Sequence, residues 1–405
     1  MTNKEYFDDL EVRPAEVRAA AQLEMLHTQI ERARQSPGFR DRLDSPLPDA
    51  LDGLTAFPVL RKSDLVSAQS SAPPFGGFTG VGVSGFAHVF QSPGPIYEPG
   101  QRSRDWWRIG RFLHAAGIGA TDIVQNCFSY HMTPAGMMFE NGAQAVGATV
   151  FPAGTGQTEL QARAAHDLGC TAYAGTPDYL LTILEEAERA GFALKVTKAV
   201  VGGGALFPAI RQSYADRGIA CLQCYATADL GNIAYESSAM EGMIVDEGVI
   251  VEIVRPGTGD PVSDGEVGEV VVTTLSPDYP LIRFATGDLS AVFPGPSPCG
   301  RTNVRIKGWM GRADQTTKIK GMFVRPEQVA ELVARHPEID RARVVATRAG
   351  NSDAMHVQIE AAEGDVHRYA ATVVEVMKLK GRIELVAPGS LPNDGKVIDD
   401  QRSYN

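Results

Sequence analysis

The chain has 405 residues, 43% of them hydrophobic and 21% charged, with a formal net charge of −11. That length exceeds one ordinary hydrophobic core and implies two or three domains, and the acidic balance argues against a nucleic-acid partner. No apolar run is long enough to span a bilayer, the start of the chain is polar and acidic, and five scattered cysteines (127, 170, 221, 224 and 299) read as reduced thiols. A cytoplasmic protein with no membrane segment is expected.

Apolar residues at helical spacing (Leu23, Leu26, Ile30, Ala33) predict a helix over 14–33, which Ser36-Pro37-Gly38 stops. A Pro- and Gly-rich stretch follows, then a predicted helix over 105–116. From there strands and helices alternate. Strands are expected at 122–127, 148–151, 172–174, 198–201 and 218–222, and helices at 137–146, 160–168, 177–190 and from Pro208. This alternation implies a parallel sheet covered by helices. After Tyr235 the pattern changes to strands at 249–254 and 269–274 with a turn-rich link between them. Beyond Asp314 a helix (326–335), strands (343–347 and 355–360) and a second helix (366–379) can make a small independent domain.

Five segments could carry chemistry. Gly202-Gly203-Gly204-Ala205 links a strand to a helix, and glycines let a ligand approach the backbone closely. Gln223-Cys224-Tyr225-Ala226-Thr227-Ala228-Asp229 puts a ring, a hydroxyl and a carboxylate at a strand's C-terminal end, the edge where α/β sheets bind ligands. The others are Pro280-Leu281-Ile282-Arg283-Phe284-Ala285-Thr286-Gly287-Asp288, Gly311-Arg312-Ala313-Asp314, and Leu391-Pro392-Asn393-Asp394-Gly395-Lys396. Each alone also fits an ordinary turn or polar loop.

Their order and spacing together resemble the adenylate-forming superfamily of acyl-coenzyme A synthetases, and within it the phenylacetate–coenzyme A ligase branch. The likeness spans nearly the whole chain and includes Ser36-Pro37-Gly38-Phe39-Arg40 and Gly308-Trp309-Met310-Gly311-Arg312-Ala313-Asp314. It implies an α/β fold in two parts: a large N-terminal domain of mixed sheets covered by helices (1–312) and a small αβ lid (313–405). It implies an AMP-forming ligase that activates an aromatic or small organic acid with ATP and Mg²⁺ and passes it to coenzyme A. Gly202, Gly203, Gly204 and Ala205 would line the adenine and acyl pocket, with Tyr225 on the adenine and Ala226 and Thr227 beside it. Asp229 stands where the family has a Mg²⁺-binding Glu. Asp288 would bind the ribose hydroxyls and Arg312 would help hold the nucleotide. Asp314 would be the hinge, and Lys396 would bridge the carboxylate and α-phosphate. Tyr130 and His131 would close the acyl pocket. The small-molecule partners are thus the acid and coenzyme A, and a homodimer is admitted as an assembly.

Two departures from the family pattern matter. Its phosphate loop, rich in Ser, Thr and Gly and ending in Lys, is replaced by Phe90-Gln91-Ser92-Pro93-Gly94-Pro95-Ile96-Tyr97-Glu98-Pro99, whose three prolines remove N–H donors and whose Glu98 has the wrong charge for a triphosphate. Ala228 replaces a hydroxyl residue beside Thr227. These changes keep two alternatives open: a protein that binds an acyl ligand or adenylate with impaired ATP use, and an adenylyltransferase acting on a phenolic acceptor. Cys221 and Cys224, three apart in or beside a strand, should point to opposite faces and act as core thiols rather than a zinc or redox pair. Cys299 is left alone by Ser297. Gly80-Val81-Gly82-Val83-Ser84-Gly85 lacks the flanking strand and helix of a dinucleotide fingerprint.

Overall fold

Val-, Ile- and Ala-rich segments separated by amphipathic helices build the largest sheet. The computed structural model describes residues 5–313, 315–320, 322–349 and 352–402. It divides into two units, one of Met1–Val251, Val272–Phe284 and Phe293–Gly308, the other of Glu252–Val271, Ala285–Val292 and Trp309–Asn405. Strands Val249–Val254, Gly268–Thr274 and Phe284–Ser290 each give residues to both.

In the first unit the sheet runs Arg305–Ile306, Met243–Val245, Gly231–Tyr235, Ala220–Thr227, Lys198–Val201, Ala172–Gly175, Ile123–Asn126, Thr149–Phe151. The last five strands are parallel, and the others add on antiparallel. Helices Ala135–Ala145, Thr158–Leu168, Tyr179–Ala190 and Pro208–Asp216 provide the crossovers. Two cores result. One holds Val124, Phe128, Phe139, Val200 and Leu222, and the other Cys127, Tyr173, Ile183, Val201 and Cys221. Adjacent residues such as Val200 and Val201 fall in different cores because successive strand side chains alternate. Each fully buried aliphatic or aromatic side chain contributes about 1.5–3 kcal/mol.

Two sequence expectations shift here. The strand expected at 218–222 runs Ala220–Thr227, because antiparallel pairing with Gly231–Tyr235 extends it through the polar motif, with a register shift between Tyr225 and Ala226. The helix expected over 105–116 is confined to Gly110–Ala115. Asp105 and Arg108 have φ of 53° and 62°, which a helix forbids, and the Asp105 carboxylate accepts the Gly110 N–H at 2.9 Å.

The second unit holds a four-stranded sheet ordered Arg382–Val386, Ser352–Glu360, Arg341–Ala349, Ile398–Asp400. Helices Pro326–Ala334 and Val366–Met377 contribute Val329, Leu332, Tyr369 and Val373 to a core with Val344, Val357 and Ile359. In the same unit Leu289 donates to the Gly311 carbonyl (2.9 Å), and Met310 and Ala313 donate to the carbonyls of Leu289 (2.8 Å) and Gly287 (2.7 Å). The division between units precedes this segment, at Gly308/Trp309. The expected hinge residue Asp314 lies outside the described residues.

Candidate active site

Ile123–Asn126 lies between Ala172–Gly175, which follows it by two strands in the chain, and Thr149–Phe151, which follows it directly. The strand order reverses there, and such a switch point opens a crevice at the carboxyl ends of the strands. Asn126, at that end, donates from Nδ2 to the Tyr130 hydroxyl (2.7 Å) and the Gly136 carbonyl (2.8 Å). Tyr130 is therefore fixed, half-buried, and burial together with Glu140 raises its pKa. His131 is exposed, and its backbone N–H donates to Ser129 Oγ at 3.1 Å.

Gly202 donates to the Gly175 carbonyl at 3.2 Å, and a Cβ on Gly202 would stand 3.0 Å from Cys224 Sγ. Gly203 turns the chain with φ +70°, a conformation that Gly adopts without strain. Gly203, Gly204 and Ala205 are exposed, Tyr225 is 7% exposed, and Ala226 is half-buried. Thr227 Oγ1 accepts the Leu230 N–H at 3.1 Å, which commits one lone pair of that hydroxyl to the turn.

Asp229, 6% exposed, accepts a hydrogen bond on Oδ2 from Lys62 Nζ at 3.0 Å. Its Oδ1 is buried with no hydrogen-bond partner among the described residues. Glu98 is fully buried nearby, and its pKa is pushed up to about 8, by burial first and then by the Asp229 charge. Ser92 and Lys62 act the other way without offsetting this. The segment expected to handle phosphates is an antiparallel hairpin, His88–Ser92 with Ile96–Gly100, closed at Ser92↔Ile96 by Pro93-Gly94-Pro95. Gln69 clamps it by accepting the Tyr97 N–H (2.8 Å) and donating to the Tyr97 carbonyl (2.9 Å).

In the second unit Asp288, 8% exposed, accepts from Arg312 Nη1 (2.9 Å) and Trp309 Nε1 (3.1 Å) on the same oxygen, Oδ1. A Cβ at Gly287 would meet Arg312 Nη2 at 2.7 Å, so the glycine admits the guanidinium. Lys396 Nζ donates to Asp399 Oδ1 at 3.0 Å, and its side chain is half exposed. A cavity of about 200 Å³ is lined by Arg312, Gln315, Asp394, Lys396 and Asp399 among others. Gln315 fixes the lysine's loop: its Nε2 donates to the Gly395 carbonyl (2.9 Å), and its Oε1 accepts from the backbone of Val397 (2.5 Å) and Ile398 (2.8 Å).

The AMP-binding enzyme family matches residues 107–276. A phenylacetate-coenzyme A ligase of Thermus thermophilus is 30% identical over 381 residues, covering 88% of this chain and 84% of that protein. The chain belongs to the phenylacetate–coenzyme A ligase family. The Escherichia coli phenylacetate-coenzyme A ligase is 29% identical, with 95% of each chain covered. Among solved structures, a 2-hydroxyisobutyryl-CoA ligase in complex with 2-HIB-AMP and CoA has the same fold, with TM-score 0.71, 23% identity, and coverage of 99% of this chain and 94% of that one.

Within this family member, Asp288 and Arg312, two of the residues expected at the site, are paired with each other, whereas Lys62 and Gln315 were not among the residues expected there. Lys62 pairs across 167 positions and Gln315 across as many as 83, so no local pattern marks either. Cys221 and Cys224 do fall in different cores, as their odd spacing requires. Among the described residues no group of three or more His, Cys, Asp or Glu is placed to hold a metal ion. Cys299 Sγ is instead 3.1 Å from Ser297 Oγ. Val83–Gly85 is a single 3₁₀ turn. No helix among the described residues is long and apolar enough to cross a membrane.

Proposed function

We propose that the chain is an AMP-forming acid–thiol ligase that converts a carboxylic acid to its acyl-adenylate and transfers the acyl group to coenzyme A. The observation that supports this best is the retention, within a sequence related over most of its length to phenylacetate-coenzyme A ligases, of Asp288 with its Arg312 partner and of Lys396 on a pinned loop. In the first half-reaction a carboxylate oxygen attacks the α-phosphorus of ATP. The bond to the β-phosphate bridging oxygen breaks, and pyrophosphate leaves. Negative charge gathers on the α-phosphate, so an ammonium such as that of Lys396 lowers the barrier. In the second, the sulfur of coenzyme A attacks the acyl carbon, its proton is lost, and AMP leaves.

Asp288 would accept the ribose hydroxyls, with Arg312 and Trp309 holding its orientation. The hairpin at 88–100 has no Lys, and Lys62, a half-exposed ammonium, would supply the missing phosphate charge. Mg²⁺ fits the buried, unpartnered Asp229 Oδ1, an oxygen of the hard type such a cation takes, and when bound it would shield phosphate charge. Tyr130, set by Asn126, would bound an aromatic acid, and exposed His131 would contact it at the rim. We place the catalytic lid at 313–405 with Asp314 as its hinge, and the protein in the cytoplasm, with a homodimer as an assembly to be measured.

ATP–pyrophosphate exchange across a panel of aryl, arylacetic and small hydroxy acids tests the reading. Acid-dependent exchange followed by thioester formation is the expected result. The proline-closed hairpin favours a second reading, an acyl-adenylate-binding protein. Tight adenylate binding without exchange for any acid would select it, and a stable adenylylated phenol would select an adenylyltransferase.

A further inference from the structure

Asp394, Asp399 and Asp400 line the same cavity as Lys396. Two of these carboxylates are matched to arginines, Asp394 to Arg343 and Asp400 to Arg402 (2.6 Å). The third, Asp399, has Lys396 as its ion-pair partner, with Nζ 3.0 Å from Oδ1. Its Oδ2 accepts from Gln401 Nε2 at 2.8 Å. The strand sets Asp399 in place. Ile398–Asp400 pairs in parallel with Arg341–Ala349, with Asp399 opposite Val345. Ile398 is buried in the core of the unit, so alternation turns Asp399 to the other face, where it meets the ammonium. The backbone of Lys396 is fixed as well: its N–H donates to Asp394 Oδ1 (3.0 Å) and its carbonyl accepts from Arg343 Nε (2.9 Å). What can move is the flexible stem, with half of the lysine side chain exposed against 17% of Asp399. Burial acts upward on the Asp399 carboxyl, but the hydrogen bonds from Gln401 and Lys396 prevail and hold it below its ordinary value, so it is charged at neutral pH.

We infer that Asp399 is the resting counter-ion of Lys396, a positioning residue that competes with the α-phosphate for the ammonium and takes it back once the acyl-adenylate has formed. One ammonium faces two rival acceptors, a fixed carboxylate and a phosphate that gathers charge only as adenylation proceeds. The pair is partly exposed, so its hold is weak enough for the lysine to leave. Asp399 therefore sets how much of the time Lys396 is free for the first half-reaction. This deepens the proposed ligase reading and rests on the role given there to Lys396.

The test is acid-dependent ATP–pyrophosphate exchange at subsaturating ATP in the full-length protein. Asp399→Asn should raise it about threefold, the scale of one partly exposed ion pair. Asp399→Glu, which keeps the charge, should stay near wild type, and the rise in Asp399→Asn should shrink at about 0.5 M salt. In a Lys396→Ala background Asp399→Asn should change nothing, because Asp399 acts through the ammonium. Competitive amine labelling without nucleotide, read by mass spectrometry, should reach Lys396 about threefold faster in Asp399→Asn than in wild type. Thermal melts by circular dichroism establish that each variant is folded, and Asp399→Ser takes the same tests if Asp399→Asn is not. A fall in exchange in Asp399→Asn, or the same change with and without Lys396, overturns the inference and makes Asp399 a structural residue. Absence of acid-dependent exchange in wild type is instead a failure of the ligase reading. Labelling then decides the contact alone, and an equal rate at Lys396 in both proteins refutes it.

Discussion

Lys62 Nζ and Asp229 Oδ2 are 3.0 Å apart although 167 positions separate the residues in the chain. Only 2% of the Asp229 side chain is exposed, against 45% for Lys62. Removing the ammonium strands a buried charge, while removing both partners does not. Lys62→Met should therefore destabilise the protein by about 1 kcal/mol, the half-exposed lysine holding the value down. In an Asp229→Asn background the same change should be close to neutral. Urea denaturation of the four proteins of the cycle checks this, and additivity would show that the pair is uncoupled.

Lys396→Ala should lower acid-dependent ATP–pyrophosphate exchange by about 100-fold or more, the scale of one lost electrostatic contact at a developing charge. Thioester formation from supplied acyl-adenylate and coenzyme A should stay within about threefold of wild type. Equal loss in both half-reactions would contradict the role given to this lysine.

Asp288 is predicted to read the ribose. Asp288→Asn should raise the KM for ATP by roughly tenfold. Wild type should discriminate against 2′-deoxyATP and the variant should not. Steady-state kinetics with the two nucleotides give the comparison, and a variant that still prefers ATP would place ribose recognition elsewhere.

The pH dependence of stability should show the Asp122 ion pair. Burial raises the Asp122 pKa, but Lys198, the Gly119 N–H and Thr171 together outweigh it and hold the carboxyl below its ordinary value. A carboxyl depressed in the folded state contributes stability that is present above its unfolded value and lost as pH falls through the folded one. Asp122→Asn should thus cost on the order of 1 kcal/mol at neutral pH, with the deficit shrinking below about pH 4. Chemical denaturation from pH 2 to 7 measures it, and a deficit that persists at pH 2 would assign the loss to packing.

Thiol reactivity should separate the cysteines. Burial pushes Cys221 and Cys224 up to about 12 and Cys170 up to about 11, and it raises Cys127 as well. Burial also acts upward on Cys299, yet Ser237, Ser297 and Arg301 prevail and lower it. A disulfide reagent at pH 7 should modify Cys299 first and the other four only on unfolding. Rapid labelling of Cys221 or Cys224 in the native protein would refute the opposite-face placement.

The sequence made the parallel sheet and the small αβ unit legible because both rest on local periodicity, strand by strand and helix by helix. The odd spacing of Cys221 and Cys224 likewise pointed to opposite faces, and the two fall in different cores. Less legible were features made by distant partners. The extension of that strand to Thr227 needs Gly231–Tyr235 beside it. The late start of the helix expected from residue 105 depends on positive φ at Asp105 and Arg108, which propensity alone does not announce. At the site, Asp229 was legible as a motif residue, whereas its lysine sits in a helix start that carries no mark of function. Glu98 was read as a poor phosphate ligand, and its complete burial in the hairpin could not be read from the sequence.

Gln315 has a wider consequence. One amide side chain holds Gly395, Val397 and Ile398, so the reach of Lys396 is inherited from a position about eighty residues upstream. Directed evolution that diversifies residues 391–398 alone would search sequences while the loop's register stays set from outside. Libraries that vary position 315 together with the loop would open the larger landscape, and transplanting the loop into a relative without its glutamine would carry the lysine across but leave its aim behind.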